Sequence, residues 1–391
     1  MMPVSVTALT SSFGPGVRAA GVWAPRVPRM SVEHITGYSE FLALEAPWND
    51  LADRAGVAHP FLRHEWVRTW WDAFGRQARL QILVLRIDGQ IAAIAPFMRD
   101  TAVMYGVPVR RLRLIHNDHT PRTDLIVAAD AADAYRAIWR ALRHDSEPWD
   151  VLLLGQLPHD SPARSAFSSF AAGDRCETGI WKSSDSPFLT LTGTWEQYLA
   201  GLPAKFRSNL RNRMTRASRL GEPTLEVLTD GSAIREACAE AWRLESSGWK
   251  EQTGTAIASD PEVHEFYTRL VERGAAAGWL QLLFLTVGGR RIATSYGASF
   301  RGRLFLFKTG YDPEYATCSP FKLLTYLAIQ RAYAQGLREV DFLGDTEPWK
   351  REWTQASRGH DWLFIFADTL RARLLHAIKF QWVPEFKRWR A

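Results

Sequence analysis

The 391-residue chain is 46% hydrophobic and 23% charged, with 48 Lys and Arg against 42 Asp and Glu and a net charge of +6. That length is long for one hydrophobic core and predicts two domains, while the positive balance suits anionic ligands without identifying one. No run of about eighteen apolar residues occurs, which argues against a membrane span, and three cysteines, Cys176, Cys238 and Cys318, without paired or metal-ligand spacing argue against a disulfide framework and for a reducing, cytoplasmic setting.

The chain opens with Arg18, Arg26 and Arg29 but no acidic side chain before Glu33, and Gly14-Pro15-Gly16, Pro25 and Pro28 interrupt any regular pattern. Residues 1–30 therefore read as a disordered leader, with Met30 a second possible start. A signal peptide would place its charges before an unbroken apolar stretch, not after a short one. Arg63-His64-Glu65-Trp66 and Trp70-Trp71 predict an amphipathic helix. Leu80 to Leu85 predicts a strand that ends in a Gly89 turn. His116 to Asp124 is a polar loop in which His119 or Asp124 can contact an acceptor. His116 and His119 lack a convincing set of further ligands, so no metal is predicted.

Val151 to Gly155 predicts a buried strand, and the cluster Ser183 to Pro187 predicts a turn at the boundary between a first unit, 31–185, and a second, 186–370. Lys205 to Arg219 holds Phe206, Leu210, Met214 and Ala217 at helical spacing with no acidic residue, so one stripe packs and the rest is cationic. Arg207 and Arg211 on that helix are candidates for holding a phosphorylated ligand. Aromatic residues are not interleaved as a base-stacking platform requires, so sequence-specific nucleic-acid binding is not expected. After a helix over Ile234 to Leu244, Trp249 and Lys250 predict a substrate-lining loop.

Leu280 to Leu285 ends in a Gly289 turn and aligns with Leu80 to Leu85 and its Gly89 turn, and each turn is followed by Ile-Ala, at Ile91-Ala92 and Ile292-Ala293. Each half then leads to a similar strand, Val151 to Gly155 and Val340 to Gly344. Two such pairs in the same order predict duplication of one αβ unit. Within the second half, Leu304 to Phe307 is β-prone, Asp312-Pro313 marks a turn, and Ser319-Pro320 starts a helix that runs to Gly336, with Ser319 as N-cap. Glu339 to Leu343 follows as a strand, and Gly344 to Pro348 forms a polar mouth at its C-terminal end, where open α/β sheets hold ligands. A helix N-terminus between two such strands offers N–H groups to an anion. Asp341 alternates with Val340 and Phe342 and must meet a cation, a donor or a substrate amine, with Lys350 or Arg351 as its structural partner if it has no chemical role. Asp345 and Glu347 can bind an amine or relay its proton. Tyr311 or Tyr315 can protonate a leaving thiolate, or simply pack. The tail, 371–391, carries six Lys and Arg among aromatic and aliphatic residues. It either touches an anionic membrane surface or, the favoured outcome, caps the second domain with its aromatics.

Five of these segments, in order, resemble the CelD-type acetyltransferases of the GNAT superfamily. They are Phe206-Arg207-Ser208-Asn209-Leu210-Arg211, Gly248-Trp249-Lys250, Tyr311-Asp312-Pro313 with Tyr315, Ser319-Pro320, and Asp341-Phe342 through Trp349-Lys350-Arg351. The resemblance implies an α/β (α+β) fold of tandem GNAT-like units, mixed central sheets flanked by helices. It implies an acyltransferase that moves an acyl group from acetyl-CoA or another acyl-CoA, a co-substrate and no permanent cofactor, to a small-molecule amine, in exopolysaccharide or cell-envelope metabolism. Lys308, Ser319, Phe321, Lys322 and Leu323 would then face the donor, Asp341, Tyr311, Asp345 and Glu347 would carry the acid–base work, and Trp349 and Lys350 would line the substrate. That family usually places Gly after Ser-Pro, where this chain has Phe321. Two such units also resemble the FemAB-type transferases, whose donor is aminoacyl-tRNA. Sugar O-acylation fits the same segments, as does a non-catalytic binding module whose cleft is plugged.

Overall fold

In the computed structural model, which describes residues 29–131, 133–247 and 257–383, the two predicted hairpins form at matching places in one sheet. Its strands are β1 (Met30–Ile35), β2 (Arg79–Ile87), β3 (Gln90–Met104), β4 (Val107–Leu114), β5 (Ile126–Val127), β6 (Val151–Pro158), β7 (Glu177–Thr190), β8 (Pro223–Leu228), β9 (Leu280–Val287), β10 (Arg290–Phe300), β11 (Arg303–Tyr311), β12 (Glu339–Asp341) and β13 (Ser357–Phe366). They run in the order β1-β2-β3-β4-β6-β13-β7-β12-β11-β10-β9-β8, with β5 beside β3. Read from either edge the succession is the same. β1 matches β8, the β2–β3 hairpin matches β9–β10, and the parallel pair β4–β6 matches β11–β12. At the centre β7 and β13 pair antiparallel, and each lies beside the other unit's inner strand: β13 along β6, β7 along β12. The duplication legible in the hairpins is thus a two-fold repeat whose last strands are exchanged.

Local chemistry explains the repeated pieces. The hairpin turns Asp88-Gly89 and Gly288-Gly289 have positive φ at both residues, the geometry that matches strand twist and that glycine adopts at little cost. Helix α1 (His64–Phe74) precedes β2; α2 (Ala134–Arg143) links β4 to β6; α3 (Ala204–Ser218) joins the units; α4 (Gly231–Ser246) and α5 (Pro261–Ala276) precede β9; and α6 (Pro320–Ala334) links β11 to β12. Asp230 caps α4 through the Ser232 and Ala233 N–H groups, and Asp260 caps α5 through Glu262 and Val263, with Pro261 in the first turn. The matching helices α1 and α5 pack on each other, with the Trp66 and Phe266 rings 5.8 Å apart and edge-on.

One sequence expectation fails here. Ser183 to Pro187 is not a turn but extended chain inside β7, paired with β13 through Ser186–Arg358 and Pro187–Ser357. Beyond Pro187 the strand changes partner, Phe188 lying beside Asp341 of β12. Proline lacks the N–H of a continuous ladder, so a turn-like composition sits where a strand passes between neighbours. β13, on the second-unit side of the expected 185/186 boundary, consequently completes the first unit's sheet. Met30 of the expected leader opens β1; residues 1–28 lie outside the described residues, as do Trp249 and Lys250.

Candidate active site

Beyond Phe305 and Asp341 the parallel strands β11 and β12 stop pairing and diverge. The turn after β12 forces this. Leu343 and Gly344 are both left-handed, with φ of 53° and 59°, and a leucine holds that conformation only where its surroundings fix it. Its N–H donates to Asp341 Oδ1 at 3.0 Å, and buried Lys350 Nζ donates to the Leu343 and Asp345 carbonyls at 2.8 and 2.9 Å. The resulting groove, ≈ 590 Å³, has β11 from Leu306 to Tyr311 as one wall and Phe342, Glu347 and Trp349 on the other, with Phe321 and Glu245 also lining it. A second cavity, ≈ 650 Å³, opens between the units, with Trp66, His119 and Lys182 from the first and Tyr267 and Asp345 from the second. Both are lined by Phe307 and Lys308, so they meet at that point of β11.

The junction is rich in groups that move or hold protons. Glu245, in the last turn of α4, is 0% exposed and its Oε2 accepts the Ile257 N–H at 2.9 Å. The Tyr267 hydroxyl lies 3.4 Å from His119 Nδ1, and Lys308 Nζ lies 5.9 Å from the centre of the Tyr267 ring. Burial, then the Lys308 charge, pulls His119 down to about 4, so it is a neutral imidazole at pH 7. Burial, then the Glu245 carboxylate, pushes the Tyr267 hydroxyl up, so it keeps its proton. Glu245 is held there by close backbone contact: a Cβ on Gly310 of β11 would come within 2.2 Å of the Leu244 carbonyl oxygen and 2.4 Å of Glu245 Cα.

The matching splay of the first unit is filled. After β4, residues 115–125 fold back into it: Ile115 N–H donates to the Pro96 carbonyl at 2.9 Å, Thr123 N–H to the Gln156 carbonyl at 3.1 Å, and Thr123 Oγ1 to the Gly155 carbonyl. The His116 ring lies on Gly155, where a Cβ would meet Nε2 at 2.3 Å. The same loop supplies His119 to the inter-unit cavity and Arg122 to Asp341.

Asp341 is where sequence reasoning and structure part. It is 0% exposed and lines neither cavity. Its partners are not Lys350 or Arg351 but Arg122 and Arg358, whose Nη1 donates at 2.9 Å, with Ser186 Oγ at 3.4 Å. Arg358 also pairs with Glu339, and Arg122 Nε donates to His360 Nε2 at 3.1 Å. This buried network ties both units together beneath the groove. A carboxylate so enclosed shapes the Leu343 turn and has no path to a substrate.

The other predicted residues divide clearly. Tyr311, Glu347, Trp349, Lys350 and Phe321 line the groove, Asp345 and His119 line the inter-unit cavity, and Lys308 lines both. Phe321 stands edge-on to Trp349 at 4.6 Å, forming part of the wall and leaving the groove open. Ser319 is at the N-cap position of α6 but does not cap it: its φ of 51° turns the hydroxyl to Arg213, whose Nε donates at 3.0 Å. Lys322 forms an ion pair with Glu352 in place of facing a phosphate, and Leu323 is buried in the core. Arg207 and Arg211 border a separate, mostly apolar recess with Leu199 and Met214; the arginines of α3 that meet the chain just before α6 are Arg213, on Ser319, and Arg216, which donates to the Thr317 carbonyl at 3.1 Å, and neither lines the groove. Asp124 lines neither cavity and takes the Leu125 N–H at 2.8 Å. Sequence reasoning missed Glu245 and Tyr267. Glu245 did carry a signal: it falls in phase with Ile234, Cys238 and Ala241, an acid on the apolar stripe of its helix.

Residues 204–351 match the family model described as an acetyltransferase (GNAT) domain. Among solved structures, FemX is similar over 90% of this chain and 100% of its own, at 11% identity and a TM-score of 0.58. A conserved protein of unknown function from Bacteroides thetaiotaomicron VPI-5482 is similar over 86% and 100%, at 11% identity and 0.53. The C-terminal domain of a lysylphosphatidylglycerol synthetase from Agrobacterium fabrum, itself assigned by inference, is similar over 86% and 95%, at 11% identity and 0.50. No curated protein matches the sequence. Residues 204–351 are thus similar to a GNAT acetyltransferase domain, and the mixed α/β fold is one that these structures share along nearly their whole length. The family model names the GNAT domain and not the CelD-type branch.

Proposed function

We propose that this chain, similar over residues 204–351 to a GNAT acetyltransferase domain, is an N-acyltransferase whose donor, acetyl-CoA or a longer acyl-CoA, lies in the groove between β11 and β12 and whose amine acceptor enters the inter-unit cavity. The observation that carries this reading is that the two spaces meet at Phe307 and Lys308, beside Glu245, Tyr267 and His119. In the reaction the amine nitrogen attacks the thioester carbonyl, a C–N bond forms, the C–S bond breaks, and the amine proton must leave. Glu245 is our proton acceptor. The Tyr267–His119 pair orients the acceptor, Asp345 attracts its ammonium form, and Tyr311, in the donor groove, protonates the departing thiolate. The filled splay of the first unit supports a single donor site. The resemblance of the second half to CelD-type enzymes supports an acceptor from exopolysaccharide or cell-envelope metabolism.

An aminoacyl-tRNA donor is the second reading. It is favoured by Phe321 and Trp349, bulky side chains in the groove wall at the start of α6, and by Arg213 and Arg216 of α3, which meet Ser319 and Thr317 just before that helix. Calorimetric titration with acetyl-CoA and longer acyl-CoAs, with bulk aminoacyl-tRNA in parallel, separates the two. Saturable acyl-CoA binding, followed by amine-dependent thiol release that Glu245→Gln lowers by about 10²–10⁴-fold without loss of binding, is the expected result. Salt-sensitive tRNA binding with no acyl-CoA binding transfers the site to the second reading, and binding of neither refutes both.

A further inference from the structure

We propose that the recess between α3 and α6 binds a free aliphatic chain that ends in an anionic carboxylate or phosphate head. The recess, ≈ 260 Å³, is lined by Arg207, Leu210, Arg211 and Met214 of α3, by Leu199 of the short helix Trp195–Gly201 and by Tyr326 of α6. The four α3 residues stand at i, i+3, i+4 and i+7, so one face of that helix carries cationic and apolar side chains in turn along the cavity. None of the six lines the groove or the inter-unit cavity. The site therefore stands independently of the acyl transfer proposed above.

The apolar part is held in place by core packing. Leu210 is buried in the core of the second unit, and half-buried Leu199, Met214 and Tyr326 pack against that core. The Tyr326 ring stands edge-on to Trp195 at 5.0 Å, which fixes the α6 wall. Arg207 is half-buried and Arg211 exposed, so the lining passes from an apolar base to a cationic rim. At ≈ 260 Å³ against ≈ 590 Å³ for the groove, the space suits a single chain and not a whole acyl-CoA.

The charge at the rim has no counter-ion. Among the described residues neither Arg207 nor Arg211 pairs with a carboxylate: Arg207 Nη1 donates to the Ala200 carbonyl, and the Arg211 guanidinium has no hydrogen-bond partner. Other arginines of the fold are met by acids, Arg111 by Asp100 and Arg291 by Glu226 and Glu240. A guanidinium fork matches a carboxylate or phosphate in geometry as well as charge. A wholly apolar ligand would leave both arginines unmatched. A nucleic-acid strand would match them but leave the cavity empty, and Tyr326 is one ring where stacking needs several. A chain with an anionic head satisfies base and rim together.

The test is calorimetric titration of the full chain with decanoate and with decyl phosphate, each below its micelle-forming concentration, beside decanol, decylammonium and acetate. Saturable one-site binding of either anion supports the proposal, provided that decanol, decylammonium and acetate bind at least about tenfold more weakly. Combined Arg207→Gln and Arg211→Gln should weaken that binding about tenfold or more, and so should Met214→Glu, which sets a carboxylate in the recess, both with unchanged Tm. Absence of saturable binding by both anions overturns the proposal, as does equal binding of decanol. Affinity unchanged in the double arginine variant or in Met214→Glu also overturns it, because the chain then lies elsewhere on the protein.

Discussion

At the scale of single residues, burial decides which of two carboxylates can do chemistry. Asp341 and Glu245 are both fully buried, but Asp341 is enclosed by Arg122 and Arg358 whereas Glu245 borders an open groove. Replacing Asp341 with Ala leaves two arginines facing a vacated partner. A destabilisation of about 3–5 kcal/mol is expected, read by urea denaturation, with activity lost along with the fold and not ahead of it. Asp124 gives a pH signature. Burial pushes its carboxyl from 3.8 up to about 7. A raised pKa in the folded state means the protonated form is favoured there, so stability is full below pH ~4 and falls as pH rises through ~7. Asp124→Asn should flatten that decline and make the protein more stable at pH 8 by about 1–4 kcal/mol, measured as thermal or urea unfolding across the window. The sequence made Asp341 conspicuous because it interrupts an apolar strand, yet it could not say that its counter-ions come from a loop over two hundred residues earlier and from β13.

At the scale of elements, the site depends on how closely β11 and α4 approach. Gly310 has no room for a side chain beneath the Leu244–Glu245 backbone, so Gly310→Ala must push the last turn of α4 outward. A cost of about 1–3 kcal/mol is expected in denaturant unfolding, together with a fall in turnover beyond what the lost stability explains, because Glu245 rides on the displaced turn. Helices α3, α4 and α6 were legible from spacing and from the Ser-Pro start of α6, and β2, β6, β9, β11 and β12 from their apolar runs. The cap itself was not: Ser319 occupies the expected position, but its left-handed backbone hands the hydroxyl to Arg213. A serine followed by proline specifies the start of a helix, whereas the neighbour that takes the hydroxyl is chosen by packing between elements.

At the scale of the whole molecule, the exchange of β7 and β13 makes the two units one folding problem. Residues 30–190 produced alone lack β13, which leaves the facing edges of β6 and β7 unpaired, and residues 191–391 alone lack the β7 partner of β12. Neither half is expected to show a cooperative unfolding transition by circular dichroism; mixed or co-produced halves should recover one, and independent folding of either half would contradict this account. The exchange also positions the site. The loop that fills the first splay also lines the inter-unit cavity through Asp118, His119 and Pro121, so the unit without a groove still shapes the one that has it.

What the amino-acid order determined by itself is local and periodic: two matching hairpins with their glycine turns, the helix starts, the cationic stripe on α3, and the strand–helix–strand segment that frames the groove. These features follow from interactions within a few residues, where backbone preference and side-chain alternation act directly. What only the tertiary structure decided is which partners meet across distance. The pairing of β13 with β6, the enclosure of Asp341, the filling of one splay and not the other, and the meeting of Glu245, Lys308, Tyr267 and His119 all depend on contacts between segments far apart in the chain. Composition places no constraint on such contacts until the sheet has formed.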